Sequence, residues 1–267
     1  DAACAPPGSP PVSLPWLPAS LHDPIAVANA EVRERFLGWC SPAGESTPVA
    51  RYLRGRGYTG PIPAALRDCG KPFGHCDDDG EAIFGLPYYQ DGAETDFTAA
   101  MVAEITQPDE TVAGVHVTHL RMDGSGKADV PSPKKMHGIK TGGAVRLTPA
   151  GATLAVTEGI ETALSVLEAQ PDLAVWAALD AGNIAKQLLP PVVRHVLICA
   201  DNDASGTGLR TAQQAADRFL KDGRTVSIAL PPETGTDFND VLLKDGAAAV
   251  RALIEQAEPW DGTRAAE

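Results

Sequence analysis

Glu158, Asp201 and Asp203 have the types and spacing for chemistry. Glu158-Gly159 closes the apolar run 152–157, and Asp201-Asn202-Asp203 closes the run 192–200. Two carboxylates one residue apart on a tight loop, joined by a third from a neighbouring strand end, repel one another, so at least one would keep its proton. A divalent cation removes the conflict. Hard oxygen donors with room for water and phosphate suit Mg2+ or Mn2+. The plainer alternative is that Asp201 and Asp203 only begin a helix, where acids favour the dipole. Glu158-Gly159 at the preceding strand end, in the right order, favours the metal.

The elements that must hold these groups follow from periodicity. Runs 152–157, 173–179, 192–200 and 225–230 are short and nearly continuous in Val, Leu, Ile and Ala, as strands buried on both faces are. Helical spacing separates them, as in Ile160, Ala163, Leu164 and Leu167, and again in Leu209, Ala212, Ala216 and Phe219. Strand and helix alternate, which predicts an open α/β parallel sheet flanked by helices. In such sheets ligands bind outside the carboxyl ends of the strands, where the acids fall. Asp180 in Asp180-Ala181-Gly182-Asn183 reads equally as a supporting acid or as a helix cap. Residues 247–257 form a last amphipathic helix, and 258–267 read as a frayed tail.

Glu158-Gly159-Ile160-Glu161-Thr162-Ala163-Leu164-Ser165, followed by Asp201-Asn202-Asp203-Ala204-Ser205-Gly206, resembles the Toprim domain of topoisomerases and bacterial-type primases. Asp237-Phe238-Asn239-Asp240-Val241-Leu242 is similar to the third acidic motif of primase-type Toprims in phage and plasmid proteins. The resemblance is strong over about 150–243 and weaker back to residue 49. It implies a metal-dependent nucleotidyl-transfer site, with Asp201 and Asp203 as central ligands and Glu158 as ligand or proton shuttle. Asp237 and Asp240 would complete the acidic ring. One position departs from the pattern: many Toprims carry Asp four residues after the Glu, where this chain has Thr162 beside Glu161.

Ahead of this domain, residues 1–30 are rich in Pro, Ala and Ser and read as an extended tail or linker. A helix is expected over 25–40 and a shorter one over 49–53. The stretch Tyr52-Leu53-Arg54-Gly55-Arg56-Gly57, with Ile62-Pro63-Ala64-Ala65-Leu66-Arg67 after it, is similar to the segment preceding Toprim in phage-type primase proteins. Arg51, Arg54, Arg56 and Arg67 are a solvated face or phosphate contacts. Cys69 and Cys76 are wrongly spaced for zinc, and Asp77-Asp78-Asp79-Gly80 lacks the alternating ligands of a calcium loop. Residues 99–105 and 111–120 read as an antiparallel hairpin across Gln107-Pro108-Asp109-Glu110, with His116 and His119 as ordinary sheet-face residues. Next comes a stretch that reads as flexible and basic: Arg121, Lys127, Lys134, Lys135, Lys140 and Arg146. Residues 111–150 carry these six cations against Asp123 and Asp129, a net of four positive charges. Such a segment, just before a metal site, would hold template or triphosphate. The alternative is a solubilising loop.

The expected organisation is therefore a tail (1–30), a mixed α+β subdomain (31–149), a Toprim-like α/β domain (150–257) and a frayed end (258–267). The formal charge of −13 runs against the basic face usual in nucleic-acid binders, although local patches decide binding. Five scattered cysteines, an odd number, argue against a disulfide framework and for a reducing cytoplasm. No apolar run approaches a membrane span. The chain begins with Asp, as a fragment would. The leading function is a primase-type nucleotidyltransferase making short RNA primers on single-stranded DNA from nucleoside triphosphates, with a helicase or separate template-recognition module as partner. The alternatives are a Toprim nuclease using the same carboxylates, or a non-catalytic nucleic-acid-binding accessory.

Overall fold

The parallel strands form as the apolar runs predict. In the computed structural model, which describes residues 36–38, 40–69, 72–76, 82–84, 86–90 and 93–263, they are β10 (Thr153–Thr157), β11 (Ala174–Ala177), β12 (His195–Cys199) and β13 (Thr225–Ala229). β11 and β12 flank β10, and β13 lies outside β12, all parallel. The chain leaves β10 toward β11, then crosses to the other side of β10 for β12. This reversal is the topological switch point, and it opens a crevice at the carboxyl ends of β10 and β12.

Helices cover both faces. α2 (Ile160–Ala169), α5 (Phe238–Asp245) and α6 (Ala247–Glu255) share one core with Ala155, Val175 and Leu197. α3 (Ala181–Ile184) and α4 (Thr207–Lys221) pack on the other face with Leu154, Val156 and Ile198. Alternate residues of β10 thus serve different cores, which is why the run lacks polar positions. α4 is amphipathic, with Ala212, Ala215, Ala216 and Phe219 buried.

The edges bring two differences from expectation. Glu258–Trp260, read from sequence as part of a frayed end, is β14, antiparallel to β13. Trp260 is buried, and its Nε1 donates to Asp217; this apolar area is what holds the segment down. At the opposite edge, β9 (Val145–Arg146) pairs antiparallel with β11. β9 comes from the N-terminal side of residue 150, so the preceding segment is stitched into this sheet.

The N-terminal half is built on a second, antiparallel sheet. β1 (Ser41–Pro42), β2 (Leu66–Asp68), β6 (Ala93–Thr106), β7 (Val112–Leu120) and β8 (Lys134–Gly138) follow in that order, and β5 (Leu86–Gln90) also pairs with β6. β3 (Pro72–Cys76) and β4 (Ala82–Phe84) form a separate pair. β6 and β7 are the predicted hairpin, turned by Glu110, whose N–H donates to the Gln107 carbonyl. The basic stretch expected to be flexible contains β8, whose backbone pairs with β7. α1 (Pro48–Gly55) is capped by Thr47 and buries Val49, Tyr52 and Leu53 in the same core as Leu164 and Phe238. The two halves therefore share a hydrophobic core.

Cys40 and Cys69 are disulfide-bonded, contrary to the reading of the cysteines as unpaired. Ser41 pairs with Asp68 in the β1–β2 register, so the residues just outside that pair face each other, which cysteine spacing alone does not reveal. The Pro-rich tail, most of the helix expected over 25–40, the 77–80 turn and the side chains of His75 and Cys76 lie outside the described residues. No helix among the described residues is long and apolar enough to cross a membrane.

Candidate active site

Glu158 follows β10 directly and is half-buried, with Gly159 as the cap of α2. Gly159 has an ordinary φ of −100°, and a Cβ there would meet nothing nearer than Thr162 Oγ1 at 3.8 Å. The backbone does not demand this glycine; its missing side chain leaves open room beside Glu158. Asp201 follows β12. Thr162, in the position where many Toprims carry Asp, donates its hydroxyl to Asp201 Oδ1 at 3.3 Å.

The loop after β12 is held against the loop before α5. Asn202 N–H donates to the Thr236 carbonyl, Gly235 N–H to the Asn202 carbonyl, and Asn202 Nδ2 to the Pro231 carbonyl. This brings Asp237 within electrostatic reach of Asp201. Burial first, then Glu158 and Asp237, push the Asp201 carboxyl up to about 7. Burial and then Asp203 raise Glu158, opposed by Lys134. A carboxyl raised as far as Asp201 is short of positive charge.

Asp203 differs from its neighbours. Its carboxylate accepts the Ser205 hydroxyl and the backbone N–H groups of Ser205, Thr207 and Gly208. These bonds, the Ser205 hydroxyl first, pull it down to about 2. Gly208 has to be glycine, because a Cβ would collide with the Asp201 carbonyl and stand 2.9 Å from Asp203 Oδ2. Asp203 therefore does what the plainer reading predicted, organising the start of α4, while remaining close enough to raise Glu158. Asp237 and Asp240 likewise form a capping box on α5. Among the described residues, no three His, Cys, Asp or Glu side chains stand close enough together to hold a metal ion as they are.

The six basic residues each find a partner within the chain. Lys127 and Lys134 converge on Glu161, at 2.9 and 3.4 Å. Arg121 pairs with Asp129, Lys140 with Asp180, and Arg146 with Glu110 while lying over the Trp176 ring. Lys135 lies over the Tyr88 ring. Of the N-terminal arginines, Arg51 bonds carbonyls of Ser46 and Asp123, and Arg54 and Arg67 pair with Glu45 and Glu104. His116 and His119 are sheet residues, both pulled down to about 4, chiefly by burial.

Glu161 is the site residue whose role sequence did not assign. It is 6 % exposed and also accepts the Tyr52 hydroxyl at 2.9 Å. Burial opposes its charge, but Lys134 and Lys127 outweigh burial and hold it well below the usual range. The available signal was its helix: nine of the ten residues of α2 are buried, so a charge near its start required a partner. Asn183 is a second such residue. Its Nδ2 donates to the carbonyls of Ala178, Gly143 and Lys140, and its Oδ1 accepts Gly142 N–H, fixing the Lys140 turn to the end of β11.

A family model described as Toprim domain matches residues 153–248. Residues 153–248 are a Toprim domain. A second family model, described as a domain of unknown function, matches residues 29–147, ahead of the Toprim domain. The whole fold is similar to DnaG-type primase catalytic cores. A DnaG primase catalytic domain bound to single-stranded DNA is 18 % identical, with 88 % of this chain and 80 % of that chain covered and a TM-score of 0.61. A DNA primase domain from Pseudomonas aeruginosa is 19 % identical, with coverages of 88 % and 79 % and a TM-score of 0.55. The zinc-binding and RNA polymerase domains of Aquifex aeolicus primase are 18 % identical, with 88 % and 61 % covered and a TM-score of 0.55. This chain thus spans less than two thirds of the Aquifex aeolicus chain. At these identities the likeness is one of fold. No curated protein matches the sequence.

Proposed function

We propose that the chain is a primase-type nucleotidyltransferase that joins ribonucleotides on a single-stranded DNA template. The observation that carries this reading is the meeting of opposite charges at the switch point. Lys134, from the antiparallel sheet, pairs with Glu161 and acts electrostatically on Glu158, beside the raised Asp201 carboxyl. Cations for phosphates and carboxylates for a metal stand on two sides of one crevice.

The donor set fits Mg2+ or Mn2+ by its chemistry: it is all oxygen, no cation offsets the raised Asp201, and Lys134 offsets Glu158 only in part. Asp201 and Glu158 would hold the ion, with Asp203 near and Asp237 and Asp240 behind. When bound, the ion would neutralise phosphate charge and make an attacking hydroxyl more acidic. Lys127 and Lys134 would bind triphosphate oxygens, exchanging Glu161 for substrate. Lys140 and Lys135, with Arg121 and Arg146 further out, would follow the template backbone. Glu158, whose carboxylate has a raised proton affinity, would take the proton from the 3′-hydroxyl.

The test is incubation with single-stranded DNA, labelled nucleoside triphosphates and Mg2+ or Mn2+. Growing oligonucleotides support the proposal. Shortened input strands would replace it with the nuclease reading. Binding without either product would leave a nucleic-acid-binding accessory.

A further inference from the structure

The amino ends of the parallel strands, opposite the carboxylate crevice, carry a second charged cavity. Arg194 immediately precedes β12 and Arg224 immediately precedes β13, and His195 pairs with Thr225 in register. The two arginines thus start adjacent strands side by side, about 16 Å from the carboxyl ends across five-residue strands. Arg218, from the last turn of α4, joins them around a cavity of about 450 Å³ whose lining includes Leu189, Val193 and Asp222.

Three guanidinium groups share this lining with one carboxylate. Asp222 Oδ2 takes both Arg218, at 3.1 Å, and Arg224, at 3.3 Å. Arg218 and Arg224 also donate to the carbonyls of Gln187 and Leu189, which explains part of each side chain as a fastening for that loop. It does not explain the rest. Arg224 Nε is buried with no hydrogen-bond partner, and a buried charged donor without a partner is costly. The Arg194 side chain is exposed and has no ion-pair or hydrogen-bond partner among the described residues. Burial, with Arg224 adding to it, pulls Arg218 down against the opposing pull of Asp222. Uncompensated positive charge persists here on a chain of formal charge −13.

We propose that this cavity is an anion site that binds phosphate groups through Arg194, Arg218 and Arg224. Guanidinium forks match phosphate oxygens in bidentate geometry, and several converging forks favour a multiply charged anion over a lone carboxylate. The volume leaves room for more than one phosphate, so a polyphosphate or a stretch of nucleic-acid backbone fits. The site is separate from the carboxylate crevice, and the inference does not rest on the primase reading.

The experiment is a nitrogen-15 NMR titration of the whole chain in EDTA with sodium pyrophosphate, against sodium chloride of equal ionic strength. A second titration uses a single-stranded twelve-nucleotide DNA without terminal phosphates. The expected result is saturable movement of the backbone amides of Arg194 and of Asp222 to Thr225. Arg194→Glu should weaken this by at least about tenfold, the loss of a charge-assisted contact, while the ligand-free melting temperature stays unchanged. Movement of these amides by both ligands identifies nucleic-acid backbone as a source; movement by pyrophosphate alone identifies a free polyphosphate. Absence of movement with either ligand, or equal affinity in Arg194→Glu, overturns the proposal.

Discussion

Glu161→Gln keeps the size of the side chain and removes one charge from the junction of the two halves. The wild-type carboxylate is 7 % exposed, whereas Lys127 and Lys134 keep 32 % and 43 % of their side chains in water. A unit pair at 4 Å is worth about 4 kcal/mol at an effective dielectric of 20, and partial re-solvation of the two lysines offsets some of that. The loss should therefore lie between that of an exposed pair, about 0–1 kcal/mol, and a broken buried pair, about 3–5 kcal/mol. We expect about 2–3 kcal/mol, or a fall in melting temperature of about 4–10 °C for a chain of this size. The pH dependence carries a sign. Glu161 is depressed in the folded state, so its contribution is fully present above the ordinary value of 4.5 and is lost as pH falls below it. Differential scanning fluorimetry from pH 7 to pH 3.5 should show the gap between wild type and variant widest at pH 7 and narrowing below about 4.5. Melting within about 1 °C of wild type at pH 7, or a gap that does not narrow in acid, would refute the reasoning.

Asp201→Asn should behave oppositely in EDTA. The folded state raises this carboxyl from 3.8 to about 7, so the cost of ionising it grows as pH rises through that window and is complete above it. At pH 8 the variant should be more stable by about 1–2 kcal/mol after allowance for solvent screening, and Mg2+ should raise the melting temperature of wild type only; a less stable variant in EDTA would contradict this. Asn183→Ala removes four hydrogen bonds from a side chain 1 % exposed, and should cost about 3–4 kcal/mol, read by urea denaturation, with faster amide exchange at Gly142. Glu158→Gln should lower single-turnover primer synthesis by about 10²-fold or more, while DNA affinity measured separately stays within about threefold, a change under 1 kcal/mol; normal turnover would move the proton acceptor elsewhere.

What could be read from sequence was local. Four apolar runs became four parallel strands because strands buried on both faces leave no room for polar alternation. The hairpin of β6 and β7 was marked by turn residues between alternating segments. The acids at the ends of β10 and β12 followed from strand order alone. What escaped was side-chain pairing across distance. Tyr52 and Glu161 are 109 residues apart, and Asn183 reaches carbonyls 40 and 43 residues upstream; no periodic pattern encodes such meetings. Cys40 and Cys69 were missed for the same reason, since their proximity is set by the β1–β2 register. Asp203 shows the converse: both of its oxygens accept hydrogen bonds at the start of α4, while its charge still raises Glu158, so the two readings do not exclude each other.

The link between Asn239 and the end of α1 has a consequence during synthesis. Asn239 Nδ2 donates to the Arg56 carbonyl, 183 residues earlier in the chain. The helix that presents Val49 and Leu53 therefore leaves the ribosome long before Phe238 and Leu242, which share its core. At about 5–20 residues per second, the wait is roughly 10–40 s. Throughout that interval α1 can pack only on the strands translated soon after it, whose Leu66, Met101 and Leu120 belong to the same core, and the part that Phe238 and Leu242 complete stays open. Slower codons between α2 and α5 would lengthen the exposure and favour aggregation, so the yield of folded protein should depend on elongation rate in this interval even when the amino-acid sequence is unchanged.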